Sequence, residues 1–326
     1  MNVLVTGGAG YIGGTVVRLL LADGHAVTIF DNLRHSKRSA VAEGARFVEG
    51  ELADKDLVLK TLREGAFDGV MHFAALIEAG ESMVVPETFF RNNTATTLTL
   101  LEAMLEVGPQ RLVFSSTAAC YGEPEKTPIL EDAKLDPTNA YGESKLLAEH
   151  MLLWMNKIHG FRYASLRYFN VAGAIEGYGE AHDPESHIIP LILDAAMGRR
   201  KNIKIFGLDY PTKDGTCVRD YVHVKDLAEA HVLALGALTD ESRPSRMIYN
   251  IGTGTGFTVR EVIDAAKRVT GREIPVVECE RRPGDPAVLV AGSDRIKAEL
   301  GWNPTSGDLD TILESAWKWH QIRYAS

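Results

Sequence analysis

The chain has 326 residues, 45% of them hydrophobic and 24% charged, with a formal net charge of −9. That length accommodates two small domains or one large one without help from disulfides or metals. The composition excludes extensive disorder and a membrane protein, and the negative charge disfavours loose association with DNA or anionic lipid while leaving room for a local basic pocket around a phosphorylated ligand.

Cys120, Cys217 and Cys279 lie far apart with no paired spacing, which argues against a disulfide framework or a zinc site. The apolar stretch 16–22 is too short and too glycine-flanked for a signal or a span. A cytoplasmic protein is therefore expected, without a metal and with neither nucleic acid nor membrane as partner.

In chain order, the apolar run 3–6 predicts a strand and 11–23 a helix, joined by Thr6-Gly7-Gly8-Ala9-Gly10-Tyr11-Ile12-Gly13. The glycines satisfy both G-x-G-x-x-G (Gly8, Gly10, Gly13) and G-x-x-G-x-x-G (Gly7, Gly10, Gly13). With a strand before and a helix after, either spacing marks a dinucleotide turn. The turn must be tight, the backbone must approach a pyrophosphate, and free N–H groups at the helix N-terminus must face the phosphates. A side chain at Gly10 would obstruct that approach. The second strand, 26–31, ends in Asp31, about twenty residues beyond the glycines, where a carboxylate accepts hydrogen bonds from the adenosine ribose. It would repel a 2′-phosphate, so NAD is expected over NADP, although Arg34, Lys37 and Arg38 follow closely enough to hold that phosphate.

Further strands are predicted at 46–49, 69–73, 111–115 and 163–168, alternating with helices at 55–64, 86–107 and 141–159. This rhythm specifies an α/β protein with a doubly wound parallel sheet covered on both faces, a Rossmann fold. The fifth strand runs into Ser115-Ser116-Thr117-Ala118-Ala119 at the carboxyl edge, where ligands bind in open α/β sheets; hydroxyls there bridge substrate and phenol, or simply close a turn. On the following helix Tyr141 and Lys145 stand four apart, on one face. A nearby cation stabilises phenolate, so Tyr141 is expected to act as acid or base nearer neutral pH than its reference value of about 10 allows. A second such pair, Tyr221 and Lys225, falls on a strand that splits it between two faces and is read as a chance match.

After Asn170 glycine, acidic and proline-containing loops predominate, with a helix at 188–197 and a strand at 203–206, which predicts a second, smaller α/β domain. A strand at 217–223 and a helix at 224–237 form a βα unit expected to rejoin the first sheet. The expected division is 1–170 plus about 217–251 for the dinucleotide, and about 171–216 plus 252–326 for the substrate. No internal repeat or low-complexity tract is found.

Together these features resemble the extended short-chain dehydrogenase/reductases and, within them, the UDP-glucose 4-epimerases, over nearly the whole length. Besides the glycine turn and Tyr141/Lys145, the matching stretches are Asp31-Asn32, His72-Phe73-Ala74-Ala75, Asn92-Asn93, Leu166-Arg167-Tyr168-Phe169-Asn170, Phe206-Gly207-Leu208-Asp209-Tyr210-Pro211-Thr212, Val218-Arg219-Asp220-Tyr221 and Arg281-Arg282-Pro283-Gly284-Asp285. The resemblance implies an isomerase of galactose metabolism that uses NAD to interconvert UDP-galactose and UDP-glucose at C4 through a bound 4-keto sugar. It implies that Tyr141 is the base, that Lys145 tunes it and holds the nicotinamide ribose, and that Thr117 meets the sugar 4-hydroxyl.

Around the cofactor it implies Gly7, Gly10, Tyr11, Ile12, Gly13, Asp31, Asn32, Ser36, Glu51, Leu52, Phe73, Ala74, Ala75, Ile77, Asn92, Ser115, Tyr141, Lys145 and Phe169. Around the UDP-sugar it implies Thr117, Tyr141, Asn170, His187, Ile188, Lys204, Phe206, Arg219, Tyr221, Arg282, Asp285 and Leu289. Two guanidinium groups suit a pyrophosphate and a carboxylate suits a ribose diol. Read singly, Phe206 is equally a core residue, and Arg219 and Arg282 are equally members of surface ion pairs.

The chain departs from the family pattern at several positions. Ile77 stands where several members carry lysine, Glu51-Leu52 replaces the usual aspartate-plus-apolar pair by the adenine, and His187 replaces an asparagine. Leu289 falls at the variable gate of the sugar pocket, which implies room for an N-acetyl group at C2. The resemblance also implies a homodimer through helices 86–107 and 141–159. Leu146, Leu147, Met151, Leu152, Leu153 and Trp154 make the second helix more apolar than one buried face needs, although burial within one subunit also accounts for them.

Alternatives are another UDP-sugar 4-epimerase acting on N-acetylhexosamines or uronic acids, a 4,6-dehydratase, and an NAD-sensing binding protein. The dehydratase reading lacks the Asp-Glu pair that should follow the threonine, since Ala118 and Ala119 stand there. A sensor typically loses the tyrosine or lysine, and both are present.

Overall fold

The computed structural model describes residues 1–282 and 285–325. Asn2–Thr6 (β1) is an interior strand of a parallel sheet, and its apolar residues Val3, Leu4 and Val5 are buried because helices cover both faces. The chain passes through Tyr11–Ala22 (α1) to Ala26–Asp31 (β2) and Arg46–Glu49 (β3) on one side of β1. Lys55–Gly65 (α2) then carries it across to Gly69–His72 (β4) on the other side, followed outward by Arg111–Thr117 (β5), Arg162–Tyr168 (β6) and finally Arg246–Ile251. All seven strands of this sheet run parallel. The reversal of winding between β1 and β4 leaves a crevice at their carboxyl ends, the position at which such sheets bind ligands.

The helix expected over 86–107 is helical throughout but not uniform. A turn at Pro86–Phe89 leads into a π-helical stretch, Phe90–Ala95, before the α-helix Thr96–Val107. Such widened turns are frequent at functional sites, and this one carries Asn92 and Asn93.

The strand Val218–His223 does not rejoin the main sheet. It pairs in parallel with Asn170–Ala172 and Val288–Leu289 and antiparallel with Gly256–Thr258, and it is Arg246–Ile251, beside β6, that completes the main sheet. The reason lies in its polar side chains: buried Asp220 accepts the N–H groups of Thr253, Gly254 and Ala291 at 2.8, 3.0 and 3.0 Å, an irregular surrounding that the two-sided apolar interior of a parallel sheet does not offer. The helix that follows, Val224–Thr239, does return, and Leu227, Ala228, Ala234 and Leu235 join the core shared by α1 and β1.

A second core forms between the helices Ile188–Ala196, Val259–Thr270 and Leu309–Arg323, around Ile192, Leu193, Val262, Ile263, Ile312 and Leu313. The main crevice opens toward this smaller body.

Candidate active site

The glycine turn is shaped by close backbone approach. Gly7 has a φ of +70°, and a Cβ there would lie 2.6 Å from the backbone nitrogen of Ala74, in the chain leaving β4. A Cβ on Gly13 would strike the Gly7 carbonyl oxygen, which already accepts the Gly10 N–H at 3.1 Å. Helix α1 begins after Gly10 with no side-chain cap, so its free N–H groups and the positive end of its dipole are available to an anion. Of the two glycine spacings, that of Gly7, Gly10 and Gly13 lines the cleft; a Cβ on Gly8 would meet the side chain of Ile29. Asp31, buried at the end of β2, accepts the Ala9 N–H at 3.0 Å and the Leu33 N–H at 2.8 Å. Asn32 donates to both carboxylate oxygens of Glu51, at 3.1 and 3.0 Å.

From this turn a continuous cleft of about 1320 Å³ runs to the second body. Every site residue expected from the sequence lies on its wall except Leu289. Leu289 packs instead against the apolar cluster of Ala118, Cys120, Tyr121, Ile129, Leu146, Phe169 and Ala291, where an apolar side chain escapes water more completely than on an open wall. Pro283 and Gly284 of the Arg-Arg-Pro-Gly-Asp motif lie outside the described residues.

Tyr141 and Lys145 come from the first turns of the helix Ala140–His159, capped by Asn139, whose side-chain oxygen accepts the Gly142 N–H at 2.8 Å. Gly142 lets this helix press on the end of β5, since a Cβ there would lie 2.6 Å from the Ala119 carbonyl oxygen. Lys145 Nζ donates to the Ser115 carbonyl at 2.9 Å and sits 5.0 Å from the centre of the Phe114 ring. The Ser115 and Tyr168 hydroxyls are hydrogen-bonded to each other.

The spacing led to an expected phenol below its usual range, and the structure differs. Burial pushes Tyr141 up to about 12, against a hydrogen bond from the Thr117 hydroxyl, and burial pushes the Lys145 ammonium down to about 7. Desolvation opposes the charged form of each group and is the largest cause of both shifts.

Strand alternation sorts the motif residues. On Val218–His223, Arg219 and Tyr221 face the cleft while Asp220 is turned away to hold the Thr253–Gly254 turn. Arg219 forms an ion pair with Asp285, and the guanidinium of Arg282 lies 3.9 Å from the centre of the Phe206 ring. His187 Nδ1 donates to the Glu185 carboxylate at 2.8 Å. Near the glycine turn, His72 is buried between the hydroxyls of Thr6 and Thr97, at 2.6 and 2.9 Å. Asn92 lines the cleft, whereas buried Asn93 holds Leu76 by both of its backbone groups and donates to Ser144.

Other wall residues carried no sequence signal. Tyr178 donates to the carbonyls of Ala9 and Gly10, at 3.1 and 2.8 Å, and Arg18 stacks 3.6 Å over its ring. A Cβ on Gly14 would strike the same phenol oxygen, so this glycine makes room for Tyr178 against α1. His182 pairs with Glu78 at 2.5 Å and stacks on His35 with ring centroids 5.1 Å apart. These contacts join loops distant in sequence, and no fixed spacing announces them. Among the described residues, no group of three or more His, Cys, Asp or Glu is placed to hold a metal ion, and no helix is long and apolar enough to cross a membrane.

A parallel sheet whose switch-point crevice carries a glycine turn, a strand-end aspartate and a tyrosine–lysine pair defines a dinucleotide-dependent enzyme of the short-chain dehydrogenase/reductase type. Residues 3–252 match the model of the NAD dependent epimerase/dehydratase family, and the chain belongs to that family. It is 51% identical over 320 residues to the UDP-glucose 4-epimerase of Streptomyces lividans, covering 97% of this chain and 95% of that one. The UDP-glucose 4-epimerase of Lacticaseibacillus casei is 48% identical, with 98% and 97% covered. The crystal structure of the Brucella ovis UDP-glucose 4-epimerase in complex with NAD superposes with a TM-score of 0.94 at 44% identity, covering 97% of each chain.

Proposed function

We propose that this chain interconverts UDP-galactose and UDP-glucose by epimerisation at C4, with NAD as a recycled cofactor. The observation that carries the reading is the single continuous cleft, whose wall holds together the uncapped α1 turn, Tyr141 with Lys145, and Arg219, Arg282 and Asp285. The glycine cradle fits a dinucleotide, because side chains at Gly7 and Gly13 are excluded by backbone on the far side of the turn and the N–H groups of α1 are left for a pyrophosphate. Asp31 favours NAD over NADP, since its carboxylate would repel a 2′-phosphate.

NAD, when bound, supplies the acceptor for the C4 hydride and carries a positively charged ring. Tyr141 takes the proton of the C4 hydroxyl, with Thr117 hydrogen-bonded to its oxygen, and returns a proton after the 4-keto sugar has turned in the cleft. A phenol near 12 needs added positive charge to ionise, and Lys145, held by the Ser115 carbonyl, stands ready on the same helix face. Net redox is zero, so the protein requires no second substrate.

We assign residues 1–170, with the helix Val224–Thr239 and the strand Arg246–Ile251, to the cofactor, and the strand Val218–His223 with the remaining segments to the nucleotide sugar, with Asn170, His187, Ile188, Lys204, Phe206 and Tyr221 at the uridylate end. A cytoplasmic homodimer completes the reading. Its support is the exposure of Trp154 and Ile158, at 61% and 67%, on the helix Ala140–His159, and of Val84 and Leu98 beside it; sedimentation showing only monomer would overturn that part.

The test of the activity is incubation of the purified protein with UDP-galactose, without and then with added NAD, following UDP-glucose by chromatography. Conversion is expected. No conversion in either case, with NAD shown to bind, would shift the substrate to another UDP-sugar.

A further inference from the structure

Behind the tyrosine–lysine pair lies a buried polar cluster that none of the chemistry above uses. Glu149 and Arg167 are 4% and 2% exposed and form a two-point ion pair, with Arg167 Nε on Oε1 at 2.9 Å and a terminal nitrogen on Oε2 at 2.5 Å. The Ser116 hydroxyl donates to the same Oε1 at 2.5 Å. Arg167 also donates to the Tyr121 hydroxyl at 2.9 Å and to the Glu131 carbonyl at 3.3 Å. Tyr121 in turn donates to the Asn250 side chain at 2.8 Å. The cluster thus ties the helix Ala140–His159 to the ends of β5 and β6 and to the last strand of the sheet.

Its position relative to the site is set by two periodicities. Tyr141, Lys145 and Glu149 follow one another at four-residue spacing, so they share one helix face. Each meets one of three consecutive residues at the end of β5: Tyr141 the Thr117 hydroxyl, Lys145 the Ser115 carbonyl, and Glu149 the Ser116 hydroxyl. Because side chains alternate along a strand, Ser116 is turned away from the cleft that Ser115 and Thr117 line. The Glu149 contact is therefore a third rung of the same ladder, placed one step behind the reacting groups.

We propose that Glu149, held by Arg167 and anchored on Ser116, is a positioning residue that fixes the register of the helix against β5 and so the placement of Tyr141 and Lys145 relative to Thr117. A buried ion pair is weak evidence for stability, since well-packed apolar side chains often replace it without loss; its better-attested use is to select one register among several. The pair is shielded from water, since Ser116 and Asn250 are fully buried beside Glu149 and Arg167, which are 4% and 2% exposed.

The inference rests on the proposed epimerase activity only for its kinetic readout. The experiment compares wild type with Ser116→Ala and with the double variant Glu149→Met/Arg167→Leu, which substitutes apolar side chains for the pair. Turnover of UDP-galactose by the wild type tests the proposed function by itself. For the double variant kcat is expected to fall about 100-fold, as for an ångström-scale misplacement of catalytic groups, with KM within about threefold because the uridylate contacts lie elsewhere. Ser116→Ala is expected to lower kcat about fivefold, the equivalent of one hydrogen bond, and both variants are expected to move the pH profile of kcat upward as the phenol of Tyr141 loses its placement beside the Lys145 ammonium.

Crystal structures of both variants supply a readout independent of substrate, the distance from Lys145 Nζ to the Ser115 carbonyl, which is expected to lengthen beyond hydrogen-bonding range in the double variant. Variants that fold and keep both the 2.9 Å contact and the wild-type kcat and pH profile would overturn the proposal. If the double variant does not fold, Ser116→Ala decides by the same criteria.

Discussion

Replacing Gly7 by alanine isolates the close approach of β1 and β4 on which the cofactor turn depends. At a φ of +70° an L side chain costs about 1–2 kcal/mol. The new Cβ would also lie 2.6 Å from the nitrogen of Ala74 and 2.9 Å from its Cα; both are backbone atoms, and relieving such a contact costs about 1–3 kcal/mol, as for other overpacking. Gly24 provides the control, with a φ of +78° and nothing within 4 Å of its Cβ position, so Gly24→Ala carries the first cost alone. The second variant is therefore expected to be less destabilised than Gly7→Ala by about 1–3 kcal/mol. If the strain is relieved by displacing the turn, the same energy appears as a loss of about 5- to 150-fold in NAD affinity. Urea unfolding, with m-values compared to confirm a common unfolded state, measures the first quantity, and a fluorescence titration with NAD measures the second. Equal stability of the two variants together with unchanged NAD affinity in Gly7→Ala would refute the reasoning.

Three further outcomes are expected. Burial, with the Lys145 charge second, pushes His72 down to about 3, and burial pushes His231 down to about 4; below pH 6.5 the unfolded chain binds protons that the native one refuses, so stability falls as the pH drops toward those values. For His72 the loss reaches on the order of 4 kcal/mol by pH 3, and denaturant midpoints of His72→Gln across pH 7 to 4 should show a shallower decline than wild type. Tyr141→Phe should lower kcat by about 10²- to 10⁴-fold with NAD affinity within about twofold of wild type, measured by steady-state turnover and titration; retention of more than a tenth of the activity would exclude Tyr141 as the base. Asp31→Ala leaves the Ala9 and Leu33 N–H groups without their acceptor and should weaken NAD by at least about tenfold while narrowing the preference over NADP, read from parallel titrations of the two cofactors.

The parts of the site that could be read along the chain were those carried by short-range geometry. The spacing of Gly7, Gly10 and Gly13 between a strand and a helix, the carboxylate closing β2 and the four-residue step from Tyr141 to Lys145 each lie within one or two elements, and the structure brings them to one cleft. Where a reading depended on pairing between distant segments it was less secure. The strand Val218–His223 has the length and pattern of a sheet strand, yet buried Asp220 commits it to the second body. Leu289 matches a variable pocket position, yet it packs against the apolar cluster that includes Phe169 and does not line the cleft. Tyr178, His182 and Glu78 gave no signal because each reaches its partner across loops.

By itself the sequence determined the alternation of strands and helices, the parallel sheet that alternation requires, the glycine turn and the helix face that carries Tyr141 and Lys145, because periodicity and sterics act over a few residues. Only the tertiary structure decided which strands share a sheet, that burial raises the Tyr141 phenol and lowers the Lys145 ammonium, and that Glu149 finds Arg167 and Ser116. Desolvation and charge pairing depend on everything packed around a group, and that surrounding comes from segments the chain brings together only on folding.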